Sequence, residues 1–488
     1  MPRSAAIVAV CFPLALAGCG GGGHHTNPAQ KLTISPAGDA YVAVGQPTHG
    51  YGPTLRAGGR QRARTYLVFA LGALRGKVTH AVLRLHPSTG SRVGIQVQPV
   101  KGLTWKAQLP SGKPALQPPA KTVPTLTANQ WRNIDVTKLA RSATRLALAI
   151  TSRAQDEITL ASSESGSFGP ELIVHARTRT AAFQKRIKVA KGSTPVIAAA
   201  GDISCDPRAK FFNAAKGTGN ACTMGATAKL IQALRPTAVL VLGDSQYEDG
   251  SLAKFQTSYQ RTWGPLKPIT HPAVGNHEYV TPDATGYYRY FGAAAGAPQQ
   301  GWYSFNIGSW HLISLNSECG YIGGCGKDSP QETWLKADLE NHKAHCTLAY
   351  WHEPRFSSGQ HGDNQLMATI FNDLVAAKAD IVLSGHNHDY ERFDPIGRTP
   401  QGPGGAGGAK SFQPPNLDPS GIREFIVGTG GRDHKRFRAP PLNGERARND
   451  DTYGVLELKL GRGTYSWSFV PVGGRGGVFR DSGSGRCH

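Results

Sequence analysis

Eight side chains beyond residue 200 of this chain could do acid–base or metal chemistry together: Asp202, Asp244, Tyr247, Asn276, His277, His352, His386 and His388. They fall at or just after the ends of short apolar runs, in "PVIAAAGD", "AVLVLGD", "HPAVGNHE", "TLAYWHE" and "DIVLSGHNH". Any one alone fits a turn aspartate, a helix cap or a packed core histidine. Recurrence at successive run ends, with carboxylate, phenol, amide and imidazole mixed, fits a site for two ions bound through oxygen and nitrogen.

The elements that must position them read as strands alternating with helices. "TMGATAKLIQALRP" has helical spacing and stops at Pro236. "SPQETWLKADLENH" opens with Ser329 as N-cap, Pro330 in the first turn and Glu332 closing a capping box. Such alternation predicts an α/β domain over residues 195–472, with the polar residues gathered on loops at one edge of a sheet. The Gly- and Pro-rich stretch 399–421 is an insertion after the histidine pair, read as a mobile loop at the site mouth or a surface excursion. "GVLELKL" and "TYSWSFVPV" flank "GRG" and read as a hairpin. Residues 473–488 are left as a tail.

The first half reads differently. Short alternating segments such as "RTYLVFAL", "HAVLRLH" and "VGIQVQPV", split by Gly and Pro, predict an all-β sandwich over residues 31–176. Their order resembles the DNRLRE-type β-sandwich modules, some of which bind polysaccharides. Trp105 and Trp131 are flat apolar faces that suit a sugar ring or core packing. Residues 177–194, polar, basic and aperiodic, read as a linker.

Beyond residue 200 the blocks "GD" at 201–202, "GDSQY" at 243–247, "GNHE" at 275–278, "WHEP" at 351–354 and "GHNH" at 385–388 resemble the ordered blocks of the metallophosphoesterase superfamily. Many members carry Asp-x-His in the first block; Ser204 replaces that histidine, and a tyrosine follows the second aspartate, as in purple acid phosphatases. The resemblance implies a calcineurin-like αββα sandwich. It also implies one ion on Asp202, Tyr247 and His388, a second on Asn276, His352 and His386, and Asp244 bridging them. A phenolate with carboxylates favours Fe3+, and the imidazoles with an amide oxygen suit a divalent Fe, Zn or Mn. It further implies that His277 faces the substrate as general acid, with Glu278 as its orienter or a solvent-facing loop residue, and that His361 assists, although Gly362 stands where plant members have a second histidine. Arg355 and Arg392 read as surface charges. The implied activity is hydrolysis of phosphate monoesters by direct attack of hydroxide activated by the ions. The alternatives are a phosphodiesterase for nucleotides, glycerophosphodiesters or wall polymers, and a non-catalytic wall- or polysaccharide-binding protein.

The start of the chain, with Arg3 and an apolar segment from Ala5 to Ala17, is too short to span a bilayer as a mature helix and reads as a signal over residues 1–18. Leu16-Ala17-Gly18-Cys19 resembles the lipobox of bacterial lipoproteins, which implies a lipid on Cys19, a flexible tether over 19–30 and a position on the extracytoplasmic face of the membrane, secretion being the alternative. Export suits disulfides among Cys205, Cys222, Cys319, Cys325, Cys346 and Cys487. Cys319 with Cys325 reads as a loop staple and Cys205 with Cys222 as a second pair, though spacing leaves connectivity open. The net charge of +21 is uneven: residues 31–190 carry 23 Lys or Arg against 6 Asp or Glu, and residues 192–488 carry 29 against 27. A polysaccharide or anionic wall polymer is therefore expected on the first module, and nucleic acid is not an expected partner.

Overall fold

The computed structural model describes residues 30–488 except 45–52, 72–73, 107–108, 142, 163–164, 166–167, 179–182, 191, 219–220, 400–413 and 474–478. The signal segment, Cys19 and most of the Gly- and Pro-rich insertion lie outside the described residues. No helix among the described residues is long and apolar enough to cross a membrane.

Residues 30–178 build antiparallel sheets around one core. One sheet runs in the order Gln30–Ile34, Glu171–Thr178, Leu74–Leu85 and Arg132–Asp135; a second runs Gly38–Val42, Arg64–Ala70, Arg145–Thr151, Ile95–Lys106 and Leu109–Leu116; Thr54–Gly58 and Glu157–Ala161 pair as a third. Period-two alternation decides what is buried. Leu146, Leu148 and Ile150 of one sheet and Leu172, Val174 and Ala176 of the other turn inward onto Leu67, Phe69, Leu83, Leu85 and Val97.

The second domain stacks two sheets. In the larger, Trp310–Ser314, Cys346–Tyr350, Ile381–Ser384 and Arg423–Val427 run parallel side by side. In the smaller, Val196–Ala200, Ala238–Leu242 and Thr270–Ala273 do the same. Alternate residues of one strand serve opposite faces: Leu348, Tyr350, Ile381 and Leu383 join Ile197, Leu240 and Leu456 between the sheets, whereas Ala349 and Val382 pack outward under Leu335, Ile370, Phe371 and Leu374 of the covering helices. All five polar blocks therefore emerge at the C-terminal ends of parallel strands, where α/β sheets place their sites.

Helix Met224–Leu234 ends on Arg235 in the left-handed region (φ 49) directly before Pro236. Helix Pro330–Asn341 takes Ser329 as N-cap, its side chain accepting from the Glu332 N–H. The Glu332 carboxylate reaches back one residue further than a capping box requires, to the Asp328 N–H at 3.1 Å.

Two boundaries differ from the sequence reading. The stretch read as a linker contains the strand Phe183–Ile187, which pairs in parallel with Tyr303–Ile307 and extends the larger sheet. The stretch read as a tail contains Ser482–Arg486, antiparallel to Thr464–Pro471. The ring of Trp467 lies so close over Gly483 that a Cβ there would sit 2.4 Å from it, which is why a Ser/Gly repeat can form this strand. Disulfides join Cys205 to Cys222, Cys319 to Cys325 and Cys346 to Cys487; the third ties the chain end to a central strand.

One half-buried histidine links this core to pH. His271 stacks on Phe305 at 3.9 Å between ring centres, and burial lowers its pKa to about 4. The unfolded chain takes up this proton near pH 6.5 and the folded chain does not. Stability at this residue is therefore complete above pH 6.5 and falls as pH drops toward 4, by about 3 kcal/mol. His271→Phe, which keeps a stacked ring, is expected to flatten the fall in urea midpoint between pH 6.5 and 4; an unchanged pH dependence would assign the acid sensitivity elsewhere.

Candidate metal centre

The strand ends bring the predicted residues together as two sets of converging atoms. In the first, Tyr247 Oη lies 2.8 Å from Asp202 Oδ1 and 3.0 Å from His388 Nε2, and those two are 3.4 Å apart. In the second, Asn276 Oδ1 lies 3.0 Å from His352 Nε2 and 3.1 Å from His386 Nδ1, with the two imidazole nitrogens 3.2 Å apart. Asp244 stands between the sets, with Oδ2 3.4 Å from His352 Nε2 and its charge acting on the Tyr247 phenol. Donor atoms about 2.1 Å from one octahedral ion are about 3.0 Å from each other. Each set thus has the spacing of one face of a coordination shell.

The backbone is bent to achieve this. Asp202, Asp244 and His386 all have positive φ, 60, 45 and 69, which costs on the order of 1–3 kcal/mol each for residues of this kind. Hydrogen bonds hold all three in place: the His386 N–H donates to Asp202 Oδ2 at 2.8 Å and the His277 N–H to Asp244 Oδ1 at 2.9 Å. Gly243, at φ 85, packs against His352 so closely that a Cβ would meet Nδ1 at 2.4 Å.

The residues around the sets orient each ring. His352 donates Nδ1–H to the Leu242 carbonyl at 2.9 Å, so that Nε2 faces the site. His388 turns Nδ1 to Asp433 Oδ1 at 2.6 Å and Nε2 to the site. Such carbonyl and carboxylate partners fix tautomer and direction at histidine-metal sites. Burial opposes protonation of His352, yet Asp244 outweighs it and pushes the pKa well up. His388 is pushed up to about 9, against its burial, by Asp202 and Asp433. Burial, with Asp202 and Asp244, holds the Tyr247 phenol well above its ordinary value. Against its own burial, Asp244 is held far below the carboxylate range by His352 and His277. The four groups thus form a site whose anionic and lone-pair atoms call for positive charge.

His277 lies beside these sets. Its Nδ1 is 2.7 Å from the Glu248 carbonyl and donates to it, so that Nε2 points toward Asp244 Oδ2 at 3.9 Å, and the imidazole is 28% exposed. His361 also reaches the site, its ring 4.6 Å from His386 and 6.3 Å from His388, with its N–H on Asn387 Oδ1.

Three sequence readings are corrected. Glu278 neither orients His277 nor faces solvent: it is fully buried, accepting from the Gly275 N–H at 2.8 Å and the Gln246 N–H at 3.1 Å, and burial followed by Asp244 pushes it up to about 8. Arg355 is not a surface charge but fully buried, against the Phe356 ring at 4.2 Å. Arg392 is held by Asp481 at 2.7 and 2.9 Å. Sequence reasoning also passed over Asp433, Glu248 and Arg432. The Arg432 guanidinium pairs with Glu248 at 2.6 Å and lies 5.1 Å from the Tyr247 ring centre. The available signal was the charged stretch directly after "EFIVGTGG", another strand end.

In the first module Trp131 is half-buried, with the Arg84 guanidinium 4.1 Å from its ring and His86 edge-on at 5.2 Å; Phe168, 50% exposed, continues the aromatic patch at 4.6 Å from His86. The Trp105 side chain lies outside the described residues.

Residues 30–176 match the model of carbohydrate-binding module family 96, and residues 196–390 match that of the calcineurin-like phosphoesterases. Purple acid phosphatase 1 of Ipomoea batatas is 29% identical over 183 residues, 33% of this chain and 37% of that protein. Purple acid phosphatase 18 of Arabidopsis thaliana is 33% identical over 147 residues, 26% of this chain and 33% of that protein. The chain thus spans about a third of the length of these curated relatives. A solved purple acid phosphatase from yellow lupin (Lupinus luteus) seeds covers 90% of this chain and 76% of its own at 13% identity, with a TM-score of 0.47. On these matches residues 30–176 are similar to the carbohydrate-binding modules of family 96, residues 196–390 are similar to the calcineurin-like phosphoesterases, and purple acid phosphatases are among the curated proteins that the second region resembles.

Proposed function

We propose that the chain is a two-metal phosphomonoesterase, exported and held outside the cell by a lipid on Cys19, with its first module binding a carbohydrate or anionic wall polymer. The convergence of two three-atom sets on either side of Asp244 carries the catalytic reading. Asp202, Tyr247 and His388 would hold one ion, Asn276, His352 and His386 the other, and Asp244 both. When bound, the ions supply positive charge to the phosphoryl oxygens and lower the pKa of water; Fe3+ suits the phenolate set and a divalent Fe, Zn or Mn the imidazole set.

The chain's own groups do the rest. Water attacks phosphorus from the side opposite the leaving oxygen, the P–O bond to that oxygen breaks, and His277 gives its Nε2 proton to the departing alkoxide. The Glu248 carbonyl keeps that nitrogen aimed inward. His361 flanks the phosphoryl group from the His386 side.

Purified mature protein is expected to hydrolyse p-nitrophenyl phosphate well above its bis ester. Metal-loaded protein that cleaves neither would sink the enzymatic reading, and preference for the bis ester would make it a diesterase. In His277→Ala, alkyl phosphates should lose on the order of 10²-fold more in kcat than the nitrophenyl ester, which leaves without a proton; an equal loss on both would remove the acid role. Phe168→Ala with Trp131→Ala should lower retention on the target polysaccharide with turnover unchanged.

A further inference from the structure

Beside the metal centre lies a cleft of about 390 Å³ lined by Gln360, His434, Lys435, Arg436, Phe437 and Arg438. It is attached to the site on two sides. Gln360 precedes His361, whose ring touches that of His386. The opposite wall is bonded to the backbone of His388, through His434 Nδ1 at 3.1 Å and the Lys435 N–H at 3.3 Å from the His388 carbonyl oxygen. The N–H groups of Arg438 and Ala439 both donate to the Ser358 carbonyl at 3.1 Å. The strip 434–439 thus bridges His388 and the loop that carries His361.

Its charge is out of keeping with its domain. Residues 192–488 are nearly neutral, yet "RDHKRFR" at 432–438 holds four Lys or Arg against one Asp. His434 contributes no charge at neutral pH, since burial lowers its pKa and its ring packs on Tyr453 at 4.0 Å. The cations at the cleft are Lys435, Arg436 and Arg438. Lys435 pairs with Asp433 at 3.1 Å and Arg436 with Asp450 at 3.2 Å, both with exposed heads, 37% and 84%. Exposed pairs of this kind contribute little and exchange readily for a stronger anion. The Arg438 guanidinium has no hydrogen-bond or ion-pair partner among the described residues. Two guanidinium forks and an ammonium around one opening form a phosphate receptor, because the planar fork matches two phosphate oxygens at once.

Resting on the phosphoesterase reading, we propose that this cleft binds a second phosphate of the substrate, carried a few bonds from the phosphoryl group that is hydrolysed. The enzyme then prefers small molecules with two or more phosphates to simple monophosphates. The test compares butane-1,4-diol bisphosphate with 4-hydroxybutyl phosphate, which differ only in the distal group. The ratio of their kcat/KM values is expected to be about twenty in the wild type, a tenfold effect times the factor of two for two equivalent phosphates, and to fall to about two in the double variant Arg436→Ala, Arg438→Ala. A wild-type ratio near two, or a variant in which both substrates fall equally, would overturn the proposal; the latter would mark general attraction of anions. If neither substrate is cleaved, the phosphoesterase reading fails separately. Calorimetric titration with butane-1,4-bisphosphonate and butylphosphonate then decides the cleft. About tenfold tighter binding of the bisphosphonate, lost in the double variant, supports it, and equal affinities refute it.

Discussion

Asp244→Asn is expected to lower kcat for p-nitrophenyl phosphate on the order of 10⁴-fold, equivalent to roughly 5 kcal/mol of barrier, and to reduce bound metal from two ions per chain to one or fewer. The size follows from the position. Asp244 is the side chain that acts on both sets, 3.4 Å from His352 Nε2 and with its charge bearing on the Tyr247 phenol, so its negative charge is shared by both proposed ions. Asparagine keeps an oxygen for the His277 N–H at Oδ1 and nearly the same shape, but presents an amide NH2 where the second carboxylate oxygen stood. The substitution therefore removes charge with little change in packing. Near-ultraviolet circular dichroism should be unaltered, which separates this loss from unfolding. Two ions retained, with kcat within tenfold of wild type, would take Asp244 out of the bridge.

How much of this was legible in the chain depended on whether the determinant was local. The five polar blocks could be read because each is a short apolar run followed at once by its functional residue; strand and site sit in the same ten residues. Asp433 could not be read in this way. It reaches His388 from 45 residues away, and nothing in "GTGGRDHK" specifies which histidine it meets. The Leu242 and Glu248 carbonyls, which aim His352 and His277, are backbone groups and have no sequence signature at all. Burial of charge was also opaque. Arg355 and Glu278 carry types that usually face water, and both are fully buried where groups remote in sequence meet them, the Glu424 carboxylate at the Arg355 N–H and the Gln246 N–H at the Glu278 carboxylate. The missed strands had the same cause. "FQKRI" lacks an apolar alternation because it lies at an edge of its sheet, and "SGSGR" becomes a strand through the Trp467 ring and the Cys346–Cys487 link.

Tyr247→Phe is expected to abolish the visible absorption band of the oxidised metal-loaded protein and to weaken one ion selectively while the other stays bound. The ring itself will not move. It is 2% exposed, with His277 at 4.3 Å and the Arg432 guanidinium at 5.1 Å from its centre, and phenylalanine fills the same volume. Only the oxygen is removed, leaving Asp202 Oδ1 and His388 Nε2 3.4 Å apart with one fewer donor between them. In the metal-free protein the phenol should be hard to ionise, since burial, Asp202 and Asp244 all disfavour a phenolate. A phenolate at neutral pH therefore requires a strong cation against that oxygen, and a phenolate on Fe3+ is the source expected for the colour. A spectrophotometric titration checks both halves. Metal-free wild type should show no phenolate absorbance from this residue below pH 10, and adding the trivalent ion should bring up the visible band in wild type alone. A band of equal intensity in Tyr247→Phe would assign the colour to another group and return the first set to Asp202 and His388.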